Sequence, residues 1–417
     1  MKKKVTIIGA GTIGLHCAWF LLQKGYEVEV IEAQAENDES GCSYGNCGFI
    51  VPSHFIPLAS PEMLKSGMKM LFDRKSPVYL PLGKNIKQIP WFLKFMASAN
   101  KTQVGKVIPT LYQLNDESRK LYEMLSKESD NQTEYEHKGL LMASTTAEGF
   151  HEEAEIAKIA NSLGIATQKL DQLGLKELEP DVNFSLKGAI LYKSDGHINP
   201  TSHLRWLKEQ LKNKGVDFHY NSPVVKIMLL KGKVQEVITQ KGRHKADEFV
   251  LAAGAYSCQI AAKAGISLPV ISGKGYSIDF AKSELQLKTP IILTEAKVAL
   301  TPLQNNIRLG SGMEFNGAVG EVRLNRVQAI LDRTHQAIPS FKKQTASELK
   351  IWEGLRPVTP DGVPFIGRTK QATNLLVAAG HAMMGASLGP ITGKIISELA
   401  ANEETGYDLN ILHPNRF

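Results

Sequence analysis

The stretch Val5 to Glu32, VTIIGAGTIGLHCAWFLLQKGYEVEVIE, decides how the rest of the chain is read. Val5, Thr6, Ile7 and Ile8 are apolar or β-branched, the composition of a buried strand. Gly9, Gly11 and Gly14 follow at G-x-G-x-x-G spacing. An apolar helical run through Ile13, Leu15, Ala18, Trp19, Leu21 and Leu22 then ends at Gly25, a residue suited to the helix C′ position. Val28 to Ile31 supplies a second strand, closed by Glu32. In such a unit Gly9 permits the tight turn, Gly11 admits a pyrophosphate to the backbone, and Gly14 lets helix and strand pack closely. The helix start offers free N–H groups and a positive dipole end to phosphates. Glu32 falls where an acid accepts hydrogen bonds from the adenosine ribose. Strand, helix, second strand and acid all fall in place, which favours a dinucleotide site over an ordinary glycine-rich turn.

At 417 residues the chain predicts two domains rather than one small core. Its 43% hydrophobic and 22% charged residues suit a globular enzyme. No apolar run reaches the ~18 residues of a spanning helix. Lys2, Lys3 and Lys4 before an apolar run imitate a signal peptide, but Gly9, Gly11, Gly14 and His16 interrupt it and no clean cleavage site follows. A cytoplasmic location is expected. Cys17, Cys42, Cys47 and Cys258 form no C-x-x-C pair, and no metal-ligand spacing is present, so no metal is expected. The net charge of +7 suits an anionic cofactor or an acidic membrane surface; without a clustered basic motif it does not point to nucleic acid.

A second glycine-rich loop, Cys42 to Gly48, suggests another backbone approach to the same ligand. Residues 63–96 are basic and apolar. Their Met, Leu, Phe and Trp spacing reads as a core-facing stripe or, alternatively, as a surface helix pair touching a membrane. Helices are expected over 108–130, 147–163, 201–213, 326–337 and 390–402. Strands are expected over 136–144, 188–193, 216–220, 224–227, 234–239 and 248–251, with an antiparallel sheet between 266 and 325.

The run Trp352 to Gly367, WEGLRPVTPDGVPFIG, resembles the W-x-G-x-R-P-x-T-P-D-G-x-P-x-I-G signature of the D-amino-acid oxidase superfamily. Asn374 to Leu388, followed by Thr392 and Gly393, is similar to that family's closing flavin loop and helix. Ser43-x-x-Asn46-x-Gly48 resembles its second flavin motif, and the strand ending in Ala253 and Gly254 its central one. Lys274 to Ser277, KGYS, with the prolines from Pro52 to Pro61, resembles the bacterial D-amino-acid dehydrogenase branch.

The resemblance implies an α/β (α+β) fold: a Rossmann-like FAD-binding domain and a substrate domain on a large mixed or antiparallel sheet. The expected division is non-contiguous, with 1–60, 146–175, 196–264 and 356–417 for FAD, and 61–145, 176–195 and 265–355 for substrate. The cofactor set is Gly9, Gly11, Ile13, Gly14, Glu32, Ala33, Ser43, Asn46, Gly48, Val225, Ala253, Gly254, Gly380, His381, Gly385 and Gly389. Relatives that bind flavin covalently use a cysteine near the C-terminal loop or a histidine in the second motif. Residues 380–390 hold no cysteine and residues 43–48 no histidine, so non-covalent FAD is expected, with Cys47 the one residue that keeps a covalent link in question.

The resemblance also implies oxidation of an amine. An α-amino acid carries a carboxylate, for which arginine supplies a planar fork. Arg356 stands at the family's matching position and is expected to hold it; the alternative is a salt bridge to Asp361 or another acid. Tyr276 is expected to hydrogen-bond substrate, against an ordinary sheet tyrosine. His54 is expected to line the pocket, against a capped loop histidine, and His381 to offer main-chain N–H groups rather than a base. The expected reaction is hydride transfer to flavin from a small D-amino acid, such as D-alanine or a D-proline or hydroxy-D-proline type, giving a 2-oxo acid or cyclic imine. A quinone or another acceptor would reoxidise the flavin, with peripheral contact at the inner membrane face through 63–96. The alternatives are a glycine- or sarcosine-type oxidase using oxygen, and a non-catalytic flavin-binding assembly protein.

Overall fold

The computed structural model describes residues 2–71, 76, 78–79, 88–315 and 319–417. The apolar run that opens the chain becomes the strand Lys4–Ile8, set between Glu27–Ile31 and Glu248–Leu251 in parallel register. Asp217–His219 and Leu375–Ala379 extend the sheet in parallel on either side, and Phe365–Arg368 closes one edge antiparallel. Strands buried on both faces read as continuous apolar runs. Helices Thr12–Gln23, Pro200–Asn213 and Gly385–Ala401 cover one face, burying Leu15, Trp19, Leu207, Ile391 and Ile395 against it.

The second large sheet has nine strands. Its order is Trp352–Val358, Ile271–Ala281, Asn306–Phe315, Val298–Pro302, Ile291–Leu293, Leu140–Ser144, Gly188–Tyr192 and Thr167–Leu170, with Val78–Tyr79 paired to Asn306–Phe315. Most pairs are antiparallel, while Ile291–Leu293 meets Leu140–Ser144 in parallel. Helix Leu324–Ala337 packs Val327, Ile330 and Leu331 onto Tyr276, Ile278, Leu300 and Leu309 of one face. A three-stranded sheet (Val224–Leu230, Lys233–Thr239, Arg243–His244) and the pair Phe49–Ile50 with Gly196–His197 complete the sheets among the described residues.

Three differences from the sequence reading have local causes. The helix expected from 108 begins at Lys101, because Asn100 accepts from the Gln103 N–H and Pro109 is carried inside the helix. The closing helix begins at Gly385 rather than at the proline, and Pro390 lies within it. Strand Thr167–Leu170 hydrogen-bonds to Gly188–Tyr192, so this part of segment 146–175 joins the nine-stranded sheet; its polar composition is that of an edge strand.

Within 63–96 the described residues form helices Pro61–Leu71 and Ile89–Ser98, with most of the intervening stretch outside the described set. Trp91 is buried against Ile271, Met313 and Val358, as a core stripe requires. Ile89, Leu93 and Met96 on the same helix are each about half exposed.

Candidate active site

The glycine motif folds as its spacing predicts. Gly9 lies at φ +110°, and a Cβ there would come within 2.5 Å of the Ala252 carbonyl oxygen; one on Gly14 would overlap the carbonyl oxygen of Gly9. Gly11 caps helix Thr12–Gln23 in extended conformation without a side-chain bond, so the helix opens with main-chain N–H groups available. Ile13 turns its side chain into the core, leaving only its main chain to face a ligand. Ser43 Oγ accepts from Thr12 N at 3.1 Å, which brings the second glycine loop onto the first. Glu32 sits at the mouth, accepting from Ala10 N at 2.7 Å and Gln34 N at 3.0 Å, beside exposed Ala33. A carboxylate has about four lone-pair sites, so acceptor capacity remains for ribose hydroxyls. Ala253 and Gly254 (φ +54°) lie at the end of the strand beside Gly9. Val225 is half exposed at a register shift of the three-stranded sheet.

The second loop is pinned to the nine-stranded sheet. Asn46 Oδ1 accepts from Gly48 N at 2.7 Å, so its side chain braces its own turn. Arg308 donates to the carbonyls of Tyr44 and Asn46, and Thr301 Oγ1 donates to that of Cys47. At the far end Gly380 takes φ +81°, with Thr359 where a side chain would begin. His381 is buried, its Nε2 3.0 Å from Thr392 Oγ1, and burial holds its pKa down at about 3. It is therefore a neutral imidazole serving the fold, with its main chain before the uncapped helix start at Gly385. A Cβ on Gly389 would lie 2.7 Å from His16 Nδ1, so the missing side chain lets two helices pack closely.

Arg356 projects from Trp352–Val358 over Gly275, where a Cβ would overlap its guanidinium. It donates to the Gly312 carbonyl. The salt bridge considered from sequence is absent: Asp361 pairs instead with Arg416, at 2.6 and 2.8 Å. Among the described residues no carboxylate pairs with Arg356. Burial lowers its pKa from the usual arginine value, with the sulfurs of Cys42 and Cys47 acting in the other direction. Both thiols are themselves pushed up by burial and stay neutral, so the partly buried cation has no counter-charge among the described residues. Such a group is costly unless an anion completes it.

Tyr276 lies on the face away from Arg356. The regular pairing Gly273↔Arg356, Lys274↔Leu355, Gly275↔Gly354 and Tyr276↔Glu353 places Arg356 and Tyr276 on opposite faces. Tyr276 donates to Glu314 Oε1 at 2.6 Å beneath helix Leu324–Ala337. The face of Arg356 instead presents Trp352, whose ring lies against Gly45 of the second loop and whose Nε1 is buried without a partner. Trp352 lies within the signature yet was not singled out, since an indole in a strand usually reads as core.

His54 follows the second loop, whose Val51 N–H donates to Ser387 Oγ in the first turn of the closing helix. Ser53 Oγ lies 3.1 Å from His54 Nδ1 and donates to Asp195 Oδ2 at 2.5 Å; Ser53 N donates to Asp195 Oδ1. Burial lowers His54 to about 4 and raises Asp195 to about 7. Asp195, absent from the expected set, stands between strands Gly188–Tyr192 and Gly196–His197.

These features fit FAD: two cradle positions that a Cβ would fill, an uncapped helix start, an acid at the ribose position and an uncompensated arginine across from them. Comparisons agree. The model of the FAD dependent oxidoreductase family matches residues 4–399. The chain is 32% identical to a D-amino acid dehydrogenase of Helicobacter pylori over 97% of both chains. It is 30% identical to one of Dechloromonas aromatica, over 92% of this chain and 93% of that one. The glycine oxidase of Geobacillus kaustophilus superposes with a TM-score of 0.77 over 100% of both chains at 23% identity, which speaks to the fold. The chain belongs to the FAD-dependent oxidoreductases of the D-amino-acid oxidase superfamily, and FAD is its cofactor.

Proposed function

We propose that the chain oxidises a small D-amino acid, of the D-alanine or D-proline and hydroxy-D-proline type, to the 2-oxo acid or cyclic imine. Bound non-covalently, FAD would supply the hydride acceptor, and a quinone or similar acceptor would receive the electrons. The observation that carries this reading is Arg356, a partly buried guanidinium without a counter-anion among the described residues. A substrate carboxylate completes it by two parallel N–H···O bonds, a match lysine does not offer. Clamping the carboxylate fixes the substrate Cα, and orientation carries much of the rate in such a site. FAD supplies the hydride acceptor when bound. Trp352 Nε1, on the same face, is a second donor toward the bound ligand.

His54 supplies a lone pair rather than a charge. Because Ser53 Oγ donates to Asp195, it accepts from His54 Nδ1–H, leaving Nε2 as an acceptor for the substrate amino group. The dehydrogenase names of the curated relatives support the substrate class. The exposed stripe Ile89, Leu93 and Met96 supports contact with the membrane in which a quinone would dissolve.

The test is anaerobic bleaching of the bound flavin by a panel of D- and L-amino acids, followed by reoxidation with a quinone analogue or with oxygen. Bleaching by small neutral or cyclic D-amino acids and faster reoxidation by quinone are expected. Bleaching by glycine or sarcosine with rapid oxygen turnover would replace this reading with the oxidase one.

A further inference from the structure

Away from the flavin cradle, three distant segments bring together Glu29 on Glu27–Ile31, His219 on Asp217–His219 and His244 on Arg243–His244. Their ligand atoms all lie within 4.8 Å of one another. Glu29 and His244 are buried, and His219 is partly exposed at a solvent-open pocket of about 570 Å³. We propose that these three side chains, with Asp217 as a fourth donor, bind a divalent transition-metal ion of the zinc type.

The spacing is the first argument. His219 Nε2 lies 3.1 Å from Asp217 Oδ2 and 3.4 Å from Glu29 Oε2, and His244 Nδ1 lies 3.6 Å from Glu29 Oε1. Ligands bound to zinc at about 2.0–2.1 Å in a tetrahedron stand about 3.4 Å apart. The second argument is an orphan. His219 Nε2 is buried and has two carboxylates close by, yet it forms a hydrogen bond with neither. This nitrogen thus faces the cluster unpartnered among the described residues, and two imidazoles with carboxylates form a donor set that suits zinc.

The surroundings orient the donors. Thr6 Oγ1 donates to Glu29 Oε1 at 2.5 Å, and Thr239 Oγ1 lies 3.4 Å from His244 Nε2, the nitrogen that points away. Metal-bound histidines are held in this way through their second nitrogen. Lys4 Nζ lies 2.9 Å from Glu29 Oε2 and competes for it, but its side chain is one-third exposed and free to swing outward. An ion here would tie the edge of the six-stranded sheet to the three-stranded sheet.

The test uses the FAD-loaded, tag-free protein, stripped with chelator and titrated with Zn²⁺ alone. One saturable equivalent is expected, with a raised unfolding temperature. Co²⁺ in its place should give the intense visible absorption of a tetrahedral site. His219→Gln and His244→Asn should each weaken Zn²⁺ by at least about tenfold. Lys4→Gln, a change at a partly exposed position, should tighten it by removing the competing cation. Absence of one-to-one binding by the parent protein would overturn the proposal. So would equal affinity in both histidine variants, or unchanged or weaker affinity in Lys4→Gln, since Glu29 would then not be a ligand.

Discussion

The two faces of the nine-stranded sheet, compared where Ile271–Ala281 meets Trp352–Val358, are built on opposite principles. On the face under helix Leu324–Ala337, Lys274 stands among carboxylates that lie within ion-pair distance of it. Lys274 Nζ donates to the Glu321 carbonyl at 2.6 Å and lies 3.7 Å from Glu314 and 3.5 Å from Glu353. Tyr276 and Arg323 add further bonds to Glu314. On the face toward the second glycine loop, Arg356 has a carbonyl but no carboxylate, and Trp352 Nε1 has no partner, among the described residues. Glycines 275 and 310 leave room on this face for Arg356 and for Cys47 of the second loop. Buried polar groups are normally satisfied, and the exceptions call for a ligand. One face pairs its charges within the protein; the other turns Arg356 and Trp352 toward the second glycine loop.

If this contrast is right, the heaviest stability loss comes from the charge-paired face. Lys274→Met would leave Glu353 without its cation and Glu314 with Arg323 alone, and should cost about 3–5 kcal/mol. Chemical denaturation of the FAD-loaded protein measures it. A loss below about 1 kcal/mol would mean that the network is not holding this face.

The loop beside the site gives a pH signature. Asp195 has its folded pKa raised to about 7, so its contribution to stability is present below its unfolded pKa near 4 and is lost as pH rises toward 7. Asp195→Asn does not titrate. Its stability relative to wild type should therefore climb across pH 4 to 7, by up to about 4 kcal/mol. His16 and His54, held at about 4, run the other way: stability present above pH 6.5 is lost as pH falls toward 4. Both proteins share that slope, so their difference isolates Asp195. A difference flat in pH would place the Asp195 carboxyl at an ordinary value.

Tyr276→Phe separates the faces most sharply. It should lower stability by about 1–3 kcal/mol, through the lost bond to Glu314, and leave substrate affinity unchanged. Weakened substrate binding in this variant would place the tyrosine at the site.

This is also where sequence stopped being informative. Gly9, Gly14 and Glu32 were readable because their work is set by neighbours within one strand-helix-strand unit. The face of Tyr276 depends on its register against a strand some 75 residues away, and KGYS does not encode that partner. Gly389 reads like a cofactor glycine because it stands in the flavin motif; its packing against His16 emerges only when two helices from opposite ends of the chain meet. Asp195 and the Glu29, His219 and His244 cluster were hidden for the same reason, each being assembled from segments remote in sequence.

The smallest expected effect concerns the exposed stripe. Leu93→Ser should change stability by less than about 0.5 kcal/mol, as surface substitutions do, yet reduce co-sedimentation with anionic liposomes at low salt. Equal sedimentation of variant and parent would remove Leu93 from any membrane contact.

The central claim is that Arg356 is the cation that substrate completes. Its most direct test is anaerobic substrate titration of Arg356→Lys by flavin absorbance. The ammonium keeps the charge but loses the fork, and a hydrogen bond to a charged group is worth about 1.5–3 kcal/mol. Substrate binding should weaken by roughly tenfold to a hundredfold, flavin reduction should slow, and FAD content should match the parent. Unchanged affinity and reduction rate would contradict the account and make Arg356 a structural arginine bonded to Gly312.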